Sequence, residues 1–490
     1  MSGSGPKKTN IEVNIKPECS DENRLEGGLI SSNQDEYDVF ATKDNKDKVD
    51  FRGLTCFGAA ILITKTQIGL GVLGLPSTMN VLGFLPGMVC LIVLCILSTW
   101  TGVEIGRFRL NHPSVYGIDD ATDMIFGKYA REVMGFGFWL FYTLLYGATL
   151  LTLSIAFNSL TGHPICSVAW SGIGAVVALI LGISIRTMKV LSALGYIAVG
   201  SIFLAVWVVA IACLTQGTPS AAPDPDNIDK MIRVASTGVP FKSIASAIAT
   251  QLLSLAGTPA FFTIHAEMKD QKQYIKALFL GQGFVVFNYI AISVIVYAKV
   301  GQYVASPALG SAGPLFQKIS YGIGLPALFF ACFFQAHISA KYALVRILRN
   351  SMHLQSNSKT HWATWISMMS IVIAIGFVVA GAIPFFDDLL GLIGALLGSF
   401  FTLIIPGTLV LWEIDRRFGP DEKSNTRWFT SSLKYWNSGK HTAASIFLSH
   451  FCIVSGIFIL FTGVYGSIAS IVDGYADGTV SSAFSCADNS

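Results

Sequence analysis

Apolar residues in this chain neither alternate nor recur as a narrow helical stripe. They run in blocks of 18 residues or more, the length at which a helix crosses a bilayer core of about 30 Å. The blocks fall at about 55–78, 84–106, 132–160, 167–185, 189–214, 241–264, 276–298, 322–348, 362–381, 385–411 and 443–471. They predict an all-α polytopic membrane protein of about eleven transmembrane helices. The fourth block is the shortest and meets the fifth through Ile185-Arg186-Thr187-Met188. A linker at 215–239, with Pro219, Pro223 and Pro225, divides the first ten blocks into two sets of five. Residues 1–50 are polar and read as a disordered cytoplasmic tail rather than a signal peptide. The membrane domain covers 51–471, and 472–490 forms an external tail.

Two blocks contain residues that a helix tolerates poorly. In the first, Gln67-Ile68-Gly69-Leu70-Gly71-Val72-Leu73-Gly74-Leu75-Pro76 places three glycines and a proline at membrane depth. Such glycines serve either close helix packing or a break, and a break at this depth survives only where it is buried or lines a wet cavity. A break frees amides at the start of the second half-helix, which suit a carboxylate. Thr66, Gly69, Leu70, Gly71 and Val72 are the residues so placed. The sixth block carries Ser254-Leu255-Ala256-Gly257-Thr258-Pro259 near its middle. Unwound carbonyls across Ser254, Leu255, Gly257 and Thr258 suit an ammonium. Matching interruptions in two halves of five point to a binding site built from inverted repeats, and the two sets of partners together describe an amino acid. Tyr146, in the middle of the third block, either touches the carboxylate or packs. Phe261 and Phe262 are placed to meet an apolar or aromatic side chain.

Charge settles orientation and marks one unusual residue. With the N-terminus inside, inner loops hold 18 Lys and Arg and outer loops four, as the positive-inside rule asks. The C-terminus is then outside. Lys65 lies ten residues into the first block, where a charge costs about 2.5–3.5 kcal/mol on insertion scales and is functional by default. The other reading is a lysine snorkelling to the surface. Glu104 and Lys341 are expected at the interface or paired with neighbours such as Arg107. His337, mid-block, is either a proton-titrating group or a satisfied, bundle-facing histidine. Asp387 and Asp388 are expected to open a solvated helix end.

The remaining composition narrows the function further. Only 13% of residues are charged against 52% hydrophobic, and mean hydropathy is +0.58, which leaves membrane lipid as the solvent and no surface for nucleic acid. Nine cysteines form no CxxC or Cys/His cluster, so neither a metal nor a cofactor is expected. Cys166 and Cys213 are one candidate disulfide pair, a pairing sequence does not decide. No P-loop, HExxH or GxSxG context is present, so the chain is expected to be no enzyme, and uphill transport would draw on an ion gradient. Besides a carrier, a channel and a transporter-like nutrient sensor are the rival classes. Paired breaks without a ring of pore residues argue against the channel.

Four motifs carry a resemblance over about residues 50–470: GLGVLGLP at 69–76, FGKYAREV at 126–133, TPAFFTIHAEMKD at 258–270 and IPFFDDLLGLIGALLGSFFTLIIP at 383–406. The chain resembles the amino acid/auxin permease family, and within it the neutral amino acid permeases of filamentous fungi, the methyltryptophan-resistance type. The resemblance implies a five-plus-five inverted repeat with broken helices 1 and 6, plus an eleventh helix. It implies import of neutral aliphatic and aromatic amino acids across the plasma membrane by alternating access, with a vacuolar exporter as the other placement. In sodium-coupled members of that fold, a glycine that helps hold sodium stands where Lys65 stands here, and an asparagine stands where Val72 stands. Tyr342 and Ala343 follow Lys341 where such members offer hydroxyls. These departures imply proton rather than sodium coupling, with Lys65 and His337 as the ion-coupling candidates.

Overall fold

A computed structural model describes residues 53–185, 188–216, 219, 230–349, 351–354, 356–383, 386–418, 429, 432–476 and 483–486. The expected tail at 1–50 lies outside these, as do Pro223 and Pro225 of the linker and most of the tail after 476. The described residues are helical, with one isolated backbone bridge between Leu54 and Met268. Among the described residues ten helices are long and apolar enough to cross a membrane, and a bent pair makes an eleventh span.

The spans follow in chain order. Span 1 is α1 (Cys56–Gln67) and α2 (Leu70–Leu82), bent by 43° at their joint. Span 2 is α3 (Phe84–Asn111), and a short helix α4 (Ile118–Phe126) leads into span 3, α5 (Lys128–Thr161). Spans 4 and 5 are α6 (Ser167–Ser184) and α7 (Met188–Thr215). Span 6 is α8 (Phe241–Ser254) and α9 (Thr258–Ala266), followed by α10 (Tyr274–Val300), α11 (Pro314–Ile347) and α12 (Lys359–Ala382). Span 10 runs from α13 (Phe386–Ile393) through two π-helical stretches, Gly394–Gly398 and Phe400–Ile404, into α14 (Ile405–Phe418). Span 11 is α15 (Lys440–Ala476). Five is odd, so span 6 enters from the side opposite to span 1, and the second five spans repeat the first inverted. The eleventh helix stands outside the repeat.

Burial sorts the spans into a centre and a rim. The most apolar window of span 6 is 94% buried, that of span 3 is 83% and that of span 8 is 78%, against 33% for spans 4, 9 and 11. Rim helices turn large apolar side chains outward, such as Val176 and Ile180 on α6 and Phe461 on α15. In water such faces would demand a partner; in a bilayer, lipid supplies it. The centre is built from α1 against α10, α2 against α8 and α11 against α5 and α7. The two broken spans therefore pack on each other in the middle of the bundle.

The end of the bundle rich in Lys and Arg is tied by ions. Lys341 of α11 meets Glu267, just past α9, at 2.6 Å, with the side chains 5% and 1% exposed. Arg346 reaches Asp119 at 2.9 Å, and Arg349 reaches Asp120 at 2.6 Å. Both aspartates lie in the first turn of α4, where negative charge favours a helix. Leu54 adds a backbone strap, donating to the Glu267 carbonyl at 3.1 Å and accepting from Lys269 at 2.9 Å. Lys341 is thus paired and buried. Glu104 pairs with Arg107 at 2.9 Å.

At the opposite end the expected candidate pairing of Cys166 with Cys213 is corrected. Cys166 is bonded to Cys486, with their Cα atoms 4.4 Å apart. The tail returns over that end, and the Phe484 amide donates to the Gly381 carbonyl at 2.8 Å, which brings Cys486 to the α5–α6 turn. Cys213 is buried and keeps its thiol, which points at the Ser311 carbonyl. Asp387 is held by the hydroxyl of Ser306, and its carbonyl accepts from Thr250 at 3.3 Å.

Candidate functional site

The joint of span 1 is set by its own sequence. Thr55 caps α1, accepting from the Gly58 amide at 3.1 Å. The helix stops when Ile68 turns extended, and Gly69 takes φ +157°, a value β-carbon residues resist. No side chain caps α2, so its first amides, including those of Leu70 and Gly71, stand without intrahelical partners at the joint. Gly71 also marks a close approach. A Cβ there would lie 2.9 Å from Cα and Cβ of Ser254, so α2 and α8 meet backbone to backbone.

The interruption of span 6 is a three-residue turn, Leu255 to Gly257, inside the span Phe241–Ala266. Its carbonyls are largely engaged. Ser254 O accepts from the Tyr289 hydroxyl at 2.7 Å, and Leu255 O accepts from Ser98 at 3.1 Å. The carbonyls of Leu252 and Leu253 accept from the amides of Leu255 and Ala256. The Ser254 hydroxyl shares its proton between Thr250 O at 2.9 Å, in its own helix, and Gly71 O at 3.3 Å, and so bridges the two joints.

Between the joints lies a cavity of about 20 Å³, space for one water-sized group. It is lined by residues 65–71 of span 1, Leu253, Ser254 and Ala256 of span 6, Leu145 of α5, Ala331 and Gln335 of α11 and Leu390 of α13. Lys65 enters it from α1. Its Nζ donates to Ala327 O of α11 at 3.4 Å, lies 5.8 Å from the Phe330 ring centre, and would stand 3.6 Å from a Cβ on Gly69. An ammonium is thereby fixed between the first joint and span 8.

Of the residues singled out in sequence, Lys65, Thr66, Gly69, Leu70, Gly71 and Ser254 share this cavity. The others sit around it. Val72 is buried in the first turn of α2. Leu255 is buried behind the turn, and Gly257 lies against Thr66 and Gln67. Thr258 donates to Thr402 at 3.0 Å, within a π-helical stretch of span 10, and Phe261 packs on α3 at Gly102. Tyr146 lies one residue from the α5 side chain that reaches the wall, Leu145, and its ring rests on Gly376 of α12. His337 is two residues past Gln335, on the other face of α11, with its ring 5.2 Å from that of Trp365. Gln335, Gln67 and Tyr289 were not singled out. For Gln335 and Tyr289 the signal was faint, polar side chains inside apolar helices without a break beside them; Gln67 opens the interrupted stretch of span 1.

Residues 52–469 match the family model described as transmembrane amino acid transporter protein. The chain belongs to the transmembrane amino acid transporter family. The transporter is 30% identical over 449 residues to a "Transmembrane transporter" of Fusarium pseudograminearum, covering 91% of this chain and 90% of that one. It is 29% identical to the "N amino acid transport system protein" of Neurospora crassa, over 87% of each. "Amino acid transporter AVT1D" of Arabidopsis thaliana is 24% identical over 84% of the transporter and 70% of its own length. Among solved structures, MhsT in complex with L-phenylalanine aligns with a TM-score of 0.53 at 14% identity, covering 82% of the transporter and 98% of that chain; this likeness shows the fold. The family and these relatives are transporters, not enzymes.

Proposed function

We propose that the transporter imports neutral amino acids, aliphatic and aromatic ones among them, across the plasma membrane by proton symport with alternating access. The observation that carries this is the place of Lys65. Its ammonium lies between the bent joint of span 1 and the Ala327 carbonyl of span 8, where sodium-coupled members of the resembled fold hold an ion. A lysine there supplies the positive charge itself and can exchange a proton with the path. The α2 amides at Leu70 and Gly71 receive the substrate carboxylate. Among the described residues Lys65 is the one ionisable side chain in the cavity wall, so a cationic substrate side chain finds no carboxylate among them. Leu145, Leu253, Ala331 and Leu390 offer an apolar wall.

The basic loops put the Lys/Arg-rich end in the cytoplasm. The Cys166–Cys486 bond supports the same orientation, since disulfides persist on the oxidising side of a membrane. Uptake of a labelled neutral amino acid, measured in sodium-free buffer across external pH, tests the proposal. Uptake should persist without sodium and rise as external pH falls, and Lys65→Met should flatten the pH dependence and lower the rate by about tenfold or more. Uptake that requires sodium, or that ignores pH in the unaltered protein, sinks it.

A further inference from the structure

The wall of the cavity carries a span 8 amide that the transport reading leaves unused. Ala327, Ala331 and Gln335 recur every four residues on one face of α11. Ala327 holds Lys65, and Ala331 and Gln335 line the cavity. The Gln335 side chain is 6% exposed, and its Oε1 is buried without a hydrogen-bond partner among the described residues. Gln67 lines the same cavity and its Oε1 is likewise without a partner among the described residues, but its Nε2 donates to Gln282 at 2.7 Å and so ties α1 to α10. Gln335 has no such structural task among the described residues.

A buried amide left unbonded is disfavoured unless a ligand completes it. Gln335 lines the cavity from span 8, together with the span 1 residues that offer the carboxylate donors and the apolar Leu145 and Leu253, so a substrate held there meets its amide. A carboxamide both donates and accepts, so it pairs with a neutral group that does the same. A site built to hydrogen-bond a substrate group discriminates strongly against the isostere that lacks it, because its own polar atom is then left unpaired.

We propose that Gln335 is a specificity-determining residue that ranks neutral amino acids with a hydroxyl or carboxamide side chain above apolar ones of the same shape. This inference rests on the transport reading above and narrows its substrate class. Asparagine against leucine, and threonine against valine, are pairs of nearly equal shape that differ in hydrogen bonding.

Uptake of each labelled amino acid by the full chain in reconstituted vesicles, under an imposed proton gradient, gives kcat/KM for the unaltered protein and for Gln335→Met. The unaltered protein should favour asparagine over leucine and threonine over valine. Gln335→Met keeps the length and removes the amide, so both ratios should fall by about tenfold or more. Thermal unfolding of the purified variant reports that it is folded. Ratios unchanged by the substitution overturn the proposal, as does an unaltered protein that takes leucine and valine at least as well, a result that needs no variant. Absence of uptake for every neutral amino acid would instead remove the transport reading, and this inference with it.

Discussion

At the first joint, between α1 and α2, the chain bends by 43° and leaves helix amides uncapped at a cavity. At the second, α8 and α9 count as one span, Phe241–Ala266, and the loosened carbonyls are bonded from outside the turn, by Tyr289 of α10 and Ser98 of α3. The first joint is open to a ligand and the second is secured by its neighbours. The physical reason is hydrogen-bond satisfaction. A backbone group buried at membrane depth needs a partner, and a site can leave partners wanting on one side only if the other side holds the helices in place. The bridge from the Ser254 hydroxyl to Gly71 O makes the secured joint the support of the open one.

Gly71 is where the first joint meets the backbone of the second, so it should give the largest effect. In Gly71→Ala the new methyl runs into the Tyr289 hydroxyl and meets Cα and Cβ of Ser254 at 2.9 Å, and α2 has to move away from α8. Overpacking of this kind costs about 1–3 kcal/mol, and uptake normalised to the amount of protein in the membrane should fall by about tenfold to a hundredfold. Transport at the original rate would show that the joints need not touch. Tyr289→Phe comes next. It strips the Ser254 carbonyl of its donor, which costs about 1–3 kcal/mol of stability, while substrate affinity stays within about threefold. Thermal unfolding and equilibrium binding on one preparation separate the two. A large loss of affinity at unchanged stability would place that carbonyl in the binding site and erase the contrast. Ser98→Ala should be the mildest change. Its bond to Leu255 O is longer, 3.1 Å, and its loss should lower stability by about 1 kcal/mol and leave uptake unaltered. A drop in uptake as large as that of Gly71→Ala would mean that the turn itself moves during transport.

Much of the architecture was legible in sequence because the membrane imposes it. A span must be apolar and about 20 residues long, so the eleven blocks agree with the helices to within a few residues. The largest differences are at helix ends, as where α5 begins at Lys128 and α11 at Pro314, because helices run on past the apolar layer into water. Gly69 and Gly71 were legible as well, since three glycines and a proline crowd into residues 69–76 of one span. The side from which a helix is viewed was less so. Leu145 and Tyr146 are neighbours in a uniformly apolar run, and so are Gln335 and His337 within two residues of each other. Only the rotation of α5 and α11 in the bundle turns Leu145 and Gln335 to the cavity and the other two toward α12.

The sequence by itself determined that this chain crosses a membrane about eleven times and that spans 1 and 6 are interrupted, because both follow from local composition and backbone chemistry. Lys65 could be named for the same reason, as a charge where charge is costly. Which carbonyl holds that lysine, which cysteine pairs with Cys166, which amides are left open and which carbonyls are already bonded were decided by the tertiary structure. Each of these joins residues far apart in the chain, Lys65 to Ala327, Cys166 to Cys486, Ser254 to Tyr289, and no local rule fixes the packing that brings such partners together.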